Sequence, residues 1–204
     1  MRKLSRTVRL KQAPSPAQDV APSPEARRIA ELTRELAAAQ ARIRELEELA
    51  HVDELTGALN RRGFLRELRR ALSYTERYGV PVSLALLDLD GFKAVNDQWG
   101  HPAGDAVLAH TAQALSNRLR ASDVVGRLGG DEFAILLWHA PGEVAADKAA
   151  ALSRTLSADP IRWAGHEISI RASFGVQQLE PGQSVEDALQ RADRRLYAAK
   201  AAAR

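Results

Sequence analysis

With 204 residues the chain has room for one well-cored domain and an appendage but not for two full domains, and without cysteine it can form no disulfide framework, thiol nucleophile or thiolate metal site. The formal net charge of +3 invites a nucleic-acid partner, but residues 1–24 hold Arg2, Lys3, Arg6, Arg9 and Lys11 against Asp19 alone, so the excess sits in this tail and the rest of the chain is close to neutral. No apolar run approaches the ~20 residues of a membrane span and no signal-type apolar core follows Met1, which predicts a cytoplasmic protein with no membrane span and no nucleic-acid partner.

Pro14, Pro16, Pro22 and Pro24 stand among Ser, Ala and Gln, a composition that cannot bury enough apolar surface to offset its ordering entropy, so residues 1–24 are expected to form a disordered basic tail. From Glu25 on, Ile29, Leu32, Leu36, Ala39, Ile43, Leu46 and Ala50 recur in steps of three and four, an a/d seam with Arg and Glu on most other faces. Residues 25–52 therefore read as a coiled-coil helix that pairs in parallel with its copy; a monomeric helix folded back on the domain is the alternative. The compact domain occupies 53–204.

Within it, Arg61 to Tyr78 is amphipathic through Phe64, Leu65, Leu68 and Leu72, and Val82 to Asp88 is a continuous apolar run that predicts a buried strand. Ala103 to Leu119 returns to helical spacing. Val124 to Leu128 and Ala134 to Trp138 flank a glycine turn as a β-hairpin. Glu143 to Leu156 is helical, Glu167 to Gln177 reads as a strand-pair element that includes Ser173 and Gly175, and Val185 to Ala203 closes the chain as a helix presenting Leu189, Ala192, Leu196 and Ala199. Helices and strands interleaved around a hairpin indicate an α+β fold of ferredoxin-like character, one central sheet covered by helices, with no internal repeat and no Walker P-loop.

The turn Gly129-Gly130-Asp131-Glu132-Phe133 sets two carboxylates beside glycines that permit positive φ and let a ligand approach the backbone without meeting a Cβ. A second acidic cluster, Asp88-Leu89-Asp90, stands where a buried strand runs into Gly91-Phe92-Lys93. If Asp88 leaves its strand beside the hairpin tip, Asp88, Asp131 and Glu132 make an oxygen-only site suited to Mg²⁺ or Mn²⁺, and Mg²⁺ commonly completes its shell with water and substrate phosphates, which implies a triphosphate. Asn96, Asp97, His101 and Asp105 follow; an Asn amide and an Asp carboxylate can read the edge of guanine, or cap a helix. His51, His110, His139 and His166 have no metal-type spacing and are read as structural or exposed.

Four segments taken together go further. Asp53-Glu54-Leu55-Thr56-Gly57-Ala58-Leu59-Asn60-Arg61-Arg62, then Asp88 to Asp97, then Gly100-His101-Pro102-Ala103-Gly104-Asp105, then the Gly-Gly-Asp-Glu-Phe turn resemble, in order and spacing, the GGDEF family of diguanylate cyclases, from about Asp53 to the C-terminus. The resemblance implies a class III nucleotidyl cyclase-like sheet and a reaction in which two GTP, one per protomer of a homodimer, condense to cyclic di-GMP and two pyrophosphates. It implies that Asp88, the Leu89 carbonyl, Asp131 and Glu132 hold the metal. Phe92 and Lys93 would begin a phosphate-cradling loop, with Lys93 stabilising charge in the transition state. Asn96 and Asp105 would hold guanine, with His101 lining the pocket and Gly129 and Gly130 beside the nucleotide.

Asp193 to Lys200 resembles the family's last helix, so Lys200 and Arg204 would contact the terminal phosphates. Asp131, Glu132 and Lys93 are thus the candidate catalytic residues, with Asp131 the candidate base. Arg120 and Asp123 resemble the family's RxxD site, which implies inhibition by cyclic di-GMP as product; as an isolated motif they could instead form a surface ion pair or a helix end. A catalytically silent cyclic di-GMP receptor is the second reading, and a cyclase of broader purine use a third.

Overall fold

The computed structural model describes residues 23–49 and 51–202. Nearly all of the expected disordered tail, Ala50 of the seam, and Ala203 and Arg204 lie outside these residues. The chain divides into two units between Leu46 and Glu47. Most of helix α1 (Pro24–Leu49) falls in the first, and its last turn in the second. Ile29, Leu32, Leu36, Ile43 and Leu46 recur along it at heptad spacing and are 47–66 % exposed, an exposed apolar stripe of the coiled-coil kind. No helix among the described residues is long and apolar enough to cross a membrane.

The second unit is built on a four-stranded sheet of β1 (Val82–Asp90), β2 (Val124–Gly129), β3 (Glu132–Trp138) and β6 (Arg171–Gln178), in the order β2-β3-β1-β6 and antiparallel at every pairing. Strand alternation sorts the side chains between two cores. Leu84, Leu86, Ala134 and Leu136 face α2 (Arg61–Tyr78) and α6 (Val185–Ala202), which bury Phe64, Leu68, Ala192 and Leu196 against them. Ala85, Leu87, Leu89, Phe133, Ile135 and Leu137 point the other way, into a core shared with α4 (His101–Ser116) and α5 (Gly142–Ala158). Helix α2 starts where Asn60 accepts from the Gly63 N–H at 3.0 Å and stops at Gly79, whose φ of 64° lets its N–H turn back to Thr75 O.

The expected α+β sheet covered by helices is present, and three elements depart from the sequence reading. The segment taken as a loop after Asp90 is a helix, α3 (Phe92–Trp99), joined to α4 through Gly100 at φ 80°. Strand β1 runs to Asp90, because β6 continues to pair with it there as Asp90↔Arg171. The strand-pair element expected over Glu167 to Gln177 is present as β5 (His166–Ile168) and β6, but the two do not pair with each other: β5 pairs with β4 (Ile161–Trp163) in a separate small hairpin, and β6 with β1.

Candidate active site

On the α2/α6 face of β1 the alternation Leu84, Leu86 continues as Asp88, Asp90, so the strand carries its apolar face under the helices and then presents two acids beyond them. Asp88 stands directly opposite Glu132 of β3 and Ser173 of β6. Carboxylates facing each other across a ladder repel. The compensating charge comes from the last helix, where the Lys200 ammonium is ion-paired with Asp88.

That contact depends on a glycine. A Cβ on Gly175 of β6 would lie 2.3 Å from both Ala192 O and Leu196 N and 2.7 Å from Leu196 Cβ, so α6 rests on bare backbone at this point. Lys200 is one turn beyond Leu196 on the same helix face, and so reaches the end of β1.

The hairpin tip is narrower than the sequence suggested. Gly129 pairs with Glu132, which leaves Gly130 and Asp131 as the turn, and Glu132 is the first residue of β3. Gly129 and Gly130 adopt φ of 149° and 52°, and nothing lies within 4 Å of where their Cβ atoms would be, so the glycines serve conformation and open access. Burial disfavours the charge of Asp131, the neighbouring Asp88 carboxylate adds to this, and together they hold its carboxyl above the usual range despite Lys200 and Arg127.

Arg127, which the motif reading passed over, fixes this tip. Its Nε donates to Gly130 O at 3.0 Å and its Nη1 to both oxygens of Asp53 at 3.3 Å. The available signal was a single arginine in an otherwise apolar strand, two positions before the glycines. Asp90 was singled out only as part of its cluster; it accepts from the Ser173 hydroxyl at 2.9 and 3.1 Å.

Helix α3 begins at Gly91 (φ 81°) with no side-chain cap, and Ala94 donates to Gly91 O at 2.9 Å. The N–H groups of Phe92 and Lys93 thus point from a helix N-terminus with no acceptor among the described residues, an anion-binding arrangement reached with a helix where a loop was expected. A cleft of about 520 Å³ adjoins it, lined by Asp88, Leu89, Asp90, Gly91, Arg171 and Lys200 among others. Asn96 of α3 lies against Gly104 of α4, where a Cβ would come within 2.0 Å of its Oδ1. This packing sets Asn96 beside the residue preceding Asp105, with exposed His101 at the start of α4.

The donor set around Asp88 consists of oxygens alone. Among the described residues no three Asp, Glu or His side chains gather into a cage. Two mutually repelling carboxylates, Asp88 and Asp131, with the Leu89 carbonyl at the strand end, suit a hard divalent cation that keeps water and phosphate oxygens in its shell.

Arg120 and Asp123 lie on the turn before β2, away from this cleft. The Arg120 and Trp138 N–H groups donate to the two oxygens of Asp123 at 3.0 and 3.2 Å, and the exposed Arg120 guanidinium has no partner among the described residues. The adjoining cavity, about 90 Å³, is lined by Arg120, Asp123, Trp138, His139 and Lys148 among others.

Residues 50–204 match the family model described as diguanylate cyclase, GGDEF domain. The chain is 38 % identical over 155 residues to the diguanylate cyclase DgcP of Pseudomonas aeruginosa, covering 76 % of this chain and 23 % of that protein. It is 36 % identical over 163 residues to the probable diguanylate cyclase DgcC of Escherichia coli, covering 79 % and 43 %. It thus spans less than half the length of these curated relatives. Among solved structures, the coiled coil and GGDEF domain of DgcB from Caulobacter crescentus, in complex with c-di-GMP, superposes with a TM-score of 0.72 at 30 % identity, covering 87 % of this chain and 94 % of that one. The glycine-flanked acidic hairpin and the sheet that carries it are those of the GGDEF domain family, and the chain belongs to it.

Proposed function

We propose that the protein is a cytoplasmic diguanylate cyclase, active as a homodimer, that joins two GTP into cyclic di-GMP with release of two pyrophosphates. The observation that carries this is the convergence of Asp88, Lys200 and Asp131 beside the uncapped start of α3. A receptor without chemistry has no use for that grouping. Residues 53–204 form the catalytic domain, and residues 25–52 pair it with a second copy through the exposed seam of α1.

Each domain holds one GTP. Asn96 and Asp105 bind guanine beside His101, Phe92 and Lys93 offer their N–H groups to the β- and γ-phosphates, and Lys200, with Arg204, neutralises the terminal phosphates. Gly129 and Gly130 leave room for the α-phosphate. Across the dimer, the 3′-hydroxyl oxygen of one GTP bonds to the α-phosphorus of the other as the bond to pyrophosphate breaks, and a second such step closes the ring. Asp88, Asp131, Glu132 and the Leu89 carbonyl would hold Mg²⁺ or Mn²⁺, which when bound supplies charge neutralisation at phosphorus and acidifies the attacking hydroxyl. Asp131 accepts the hydroxyl proton, a role that suits a carboxyl with raised proton affinity, and Lys93 offsets the charge that builds on the phosphorus oxygens.

Incubation of the purified protein with GTP and Mg²⁺, with products identified by mass, is expected to give cyclic di-GMP and pyrophosphate, and Asp131→Ala to give neither. A wild-type protein that leaves GTP intact in the presence of metal overturns the reading.

Product restrains the reaction through Arg120 and Asp123. The cavity beside them is below the ~300–1,000 Å³ of an enclosed ligand site, so the dinucleotide lies across the surface, held by the free Arg120 guanidinium and the remaining lone pairs of Asp123. Arg120→Ala should shift the inhibition curve for added cyclic di-GMP by at least about tenfold. An unmoved curve removes the site.

A further inference from the structure

We infer that Arg171 is a further phosphate-binding residue of this site, donating to the terminal phosphates of a bound nucleoside triphosphate from the side of the cleft formed by β6. This rests on the triphosphate reading of the cleft given above. Arg171 opens β6, directly opposite Asp90, and lines the same cleft as Asp88, Gly91 and Lys200. Its side chain shares a sheet face with Ser173 and hence with Asp88 and Asp90.

An arginine facing an aspartate across a ladder ordinarily pairs with it. Here the Asp90 carboxylate is occupied by the Ser173 hydroxyl at 2.9 and 3.1 Å, and the exposed Arg171 side chain has no ion pair or hydrogen bond among the described residues. A planar fork of five donors is therefore left open at the mouth of a cleft whose wall carries the uncapped N-terminus of α3.

Charge balance points the same way. Lys200 is already neutralised by Asp88, and Asp90 adds another negative charge to the lining. Without Arg171 the cleft-lining side chains are net acidic and would repel a triphosphate; with it they are neutral before any cation binds. Arginine also meets two phosphate oxygens with two parallel N–H groups of one planar fork, a geometry lysine lacks.

The test measures binding to the full chain, at fixed Mg²⁺, of a GTP analogue with a methylene bridge between the α- and β-phosphorus, and of GMP, which lacks the terminal phosphates. Arg171→Ala should weaken the analogue about tenfold, the loss expected for a charge-assisted hydrogen bond, and leave GMP unchanged, with Arg171→Lys between the two. Equal analogue affinity for wild type and Arg171→Ala overturns the inference, as does a parallel loss for GMP, which would mark Arg171 as structural. Lys200→Ala separates the two levels. If it weakens the analogue while Arg171→Ala does not, Arg171 alone is wrong; if wild type binds no analogue, the triphosphate reading fails and this inference with it.

Discussion

Asp53 opens the domain, yet its carboxylate is spent on holding a turn far along the chain. Thr56 donates to it through its hydroxyl at 2.6 Å and its N–H at 3.0 Å, and Arg127 through Nη1 at 3.3 Å, while the same guanidinium holds Gly130 O. The segment also adds to the sheet edge, since Leu59 donates to Val125 O and accepts from the Arg127 N–H at 2.7 Å. Burial opposes ionisation of Asp53, but the Thr56 hydrogen bonds and the Arg127 charge outweigh it and hold the carboxyl below its ordinary value of 3.8. A carboxyl depressed on folding adds stability above its unfolded pKa, and loses it as pH falls through the folded value. Asp53→Asn should therefore cost about 1 kcal/mol at neutral pH, the worth of one or two partly exposed hydrogen bonds. The gap from wild type should stay level down to about pH 4 and close below it. Urea unfolding at pH 7 and pH 3 checks this, and a gap that widens in acid would sink it.

At the scale of elements the geometry of the candidate site depends on how closely α6 lies on β6. An Ala at 175 would drive its Cβ into backbone of α6, which cannot swing aside as a side chain can, so the whole helix must lift. Gly175→Ala should destabilise by about 1–3 kcal/mol, the range for overpacking, and should lower turnover further by drawing Lys200 off Asp88. Gly142→Ala is the control: its Cβ would meet nothing closer than 3.5 Å, so both midpoint and rate should hold. Equal behaviour of the two variants in chemical denaturation and in GTP turnover would refute the argument.

Long periodic elements such as α2 and the β2–β3 hairpin were legible in the sequence, because their patterns span many residues and end in clear caps or glycines. Helix α3 was not, since it has eight residues and no side-chain cap. Strand β4 and its pairing with β5 were missed because three residues carry no period. The acids of the site were visible as motifs. The Lys200–Asp88 pair followed only from the fold, as did Arg127 on Asp53, because both join residues far apart in the chain through packing that no local spacing records.

For the whole molecule the proposed reaction makes the local concentration of a second domain the decisive quantity. A reaction between two GTP on two protomers is second order in free domains, and a tether changes that by holding the partners at an effective concentration on the order of mM. Helix α1, 26 residues long with Ile29, Leu32, Leu36, Ile43 and Leu46 exposed, is the element offered for this. Proline at Leu36 removes a helical hydrogen bond and clashes with the preceding turn, at about 3 kcal/mol. It also leaves two pieces near or below the ~12–15 residues at which isolated helices are marginal. Leu36→Pro should therefore convert a per-chain rate that is constant at micromolar protein into one that falls in proportion to concentration. At the lowest concentrations the deficit should reach about 100-fold. Thermal unfolding of the catalytic domain should stay unchanged, and light scattering should report a monomer. Because the chemistry of each half-site is untouched, raising the protein concentration should restore the rate, which a variant damaged in its active site could not show. A Leu36→Pro protein that turns over GTP like wild type on dilution would leave the seam without a catalytic purpose.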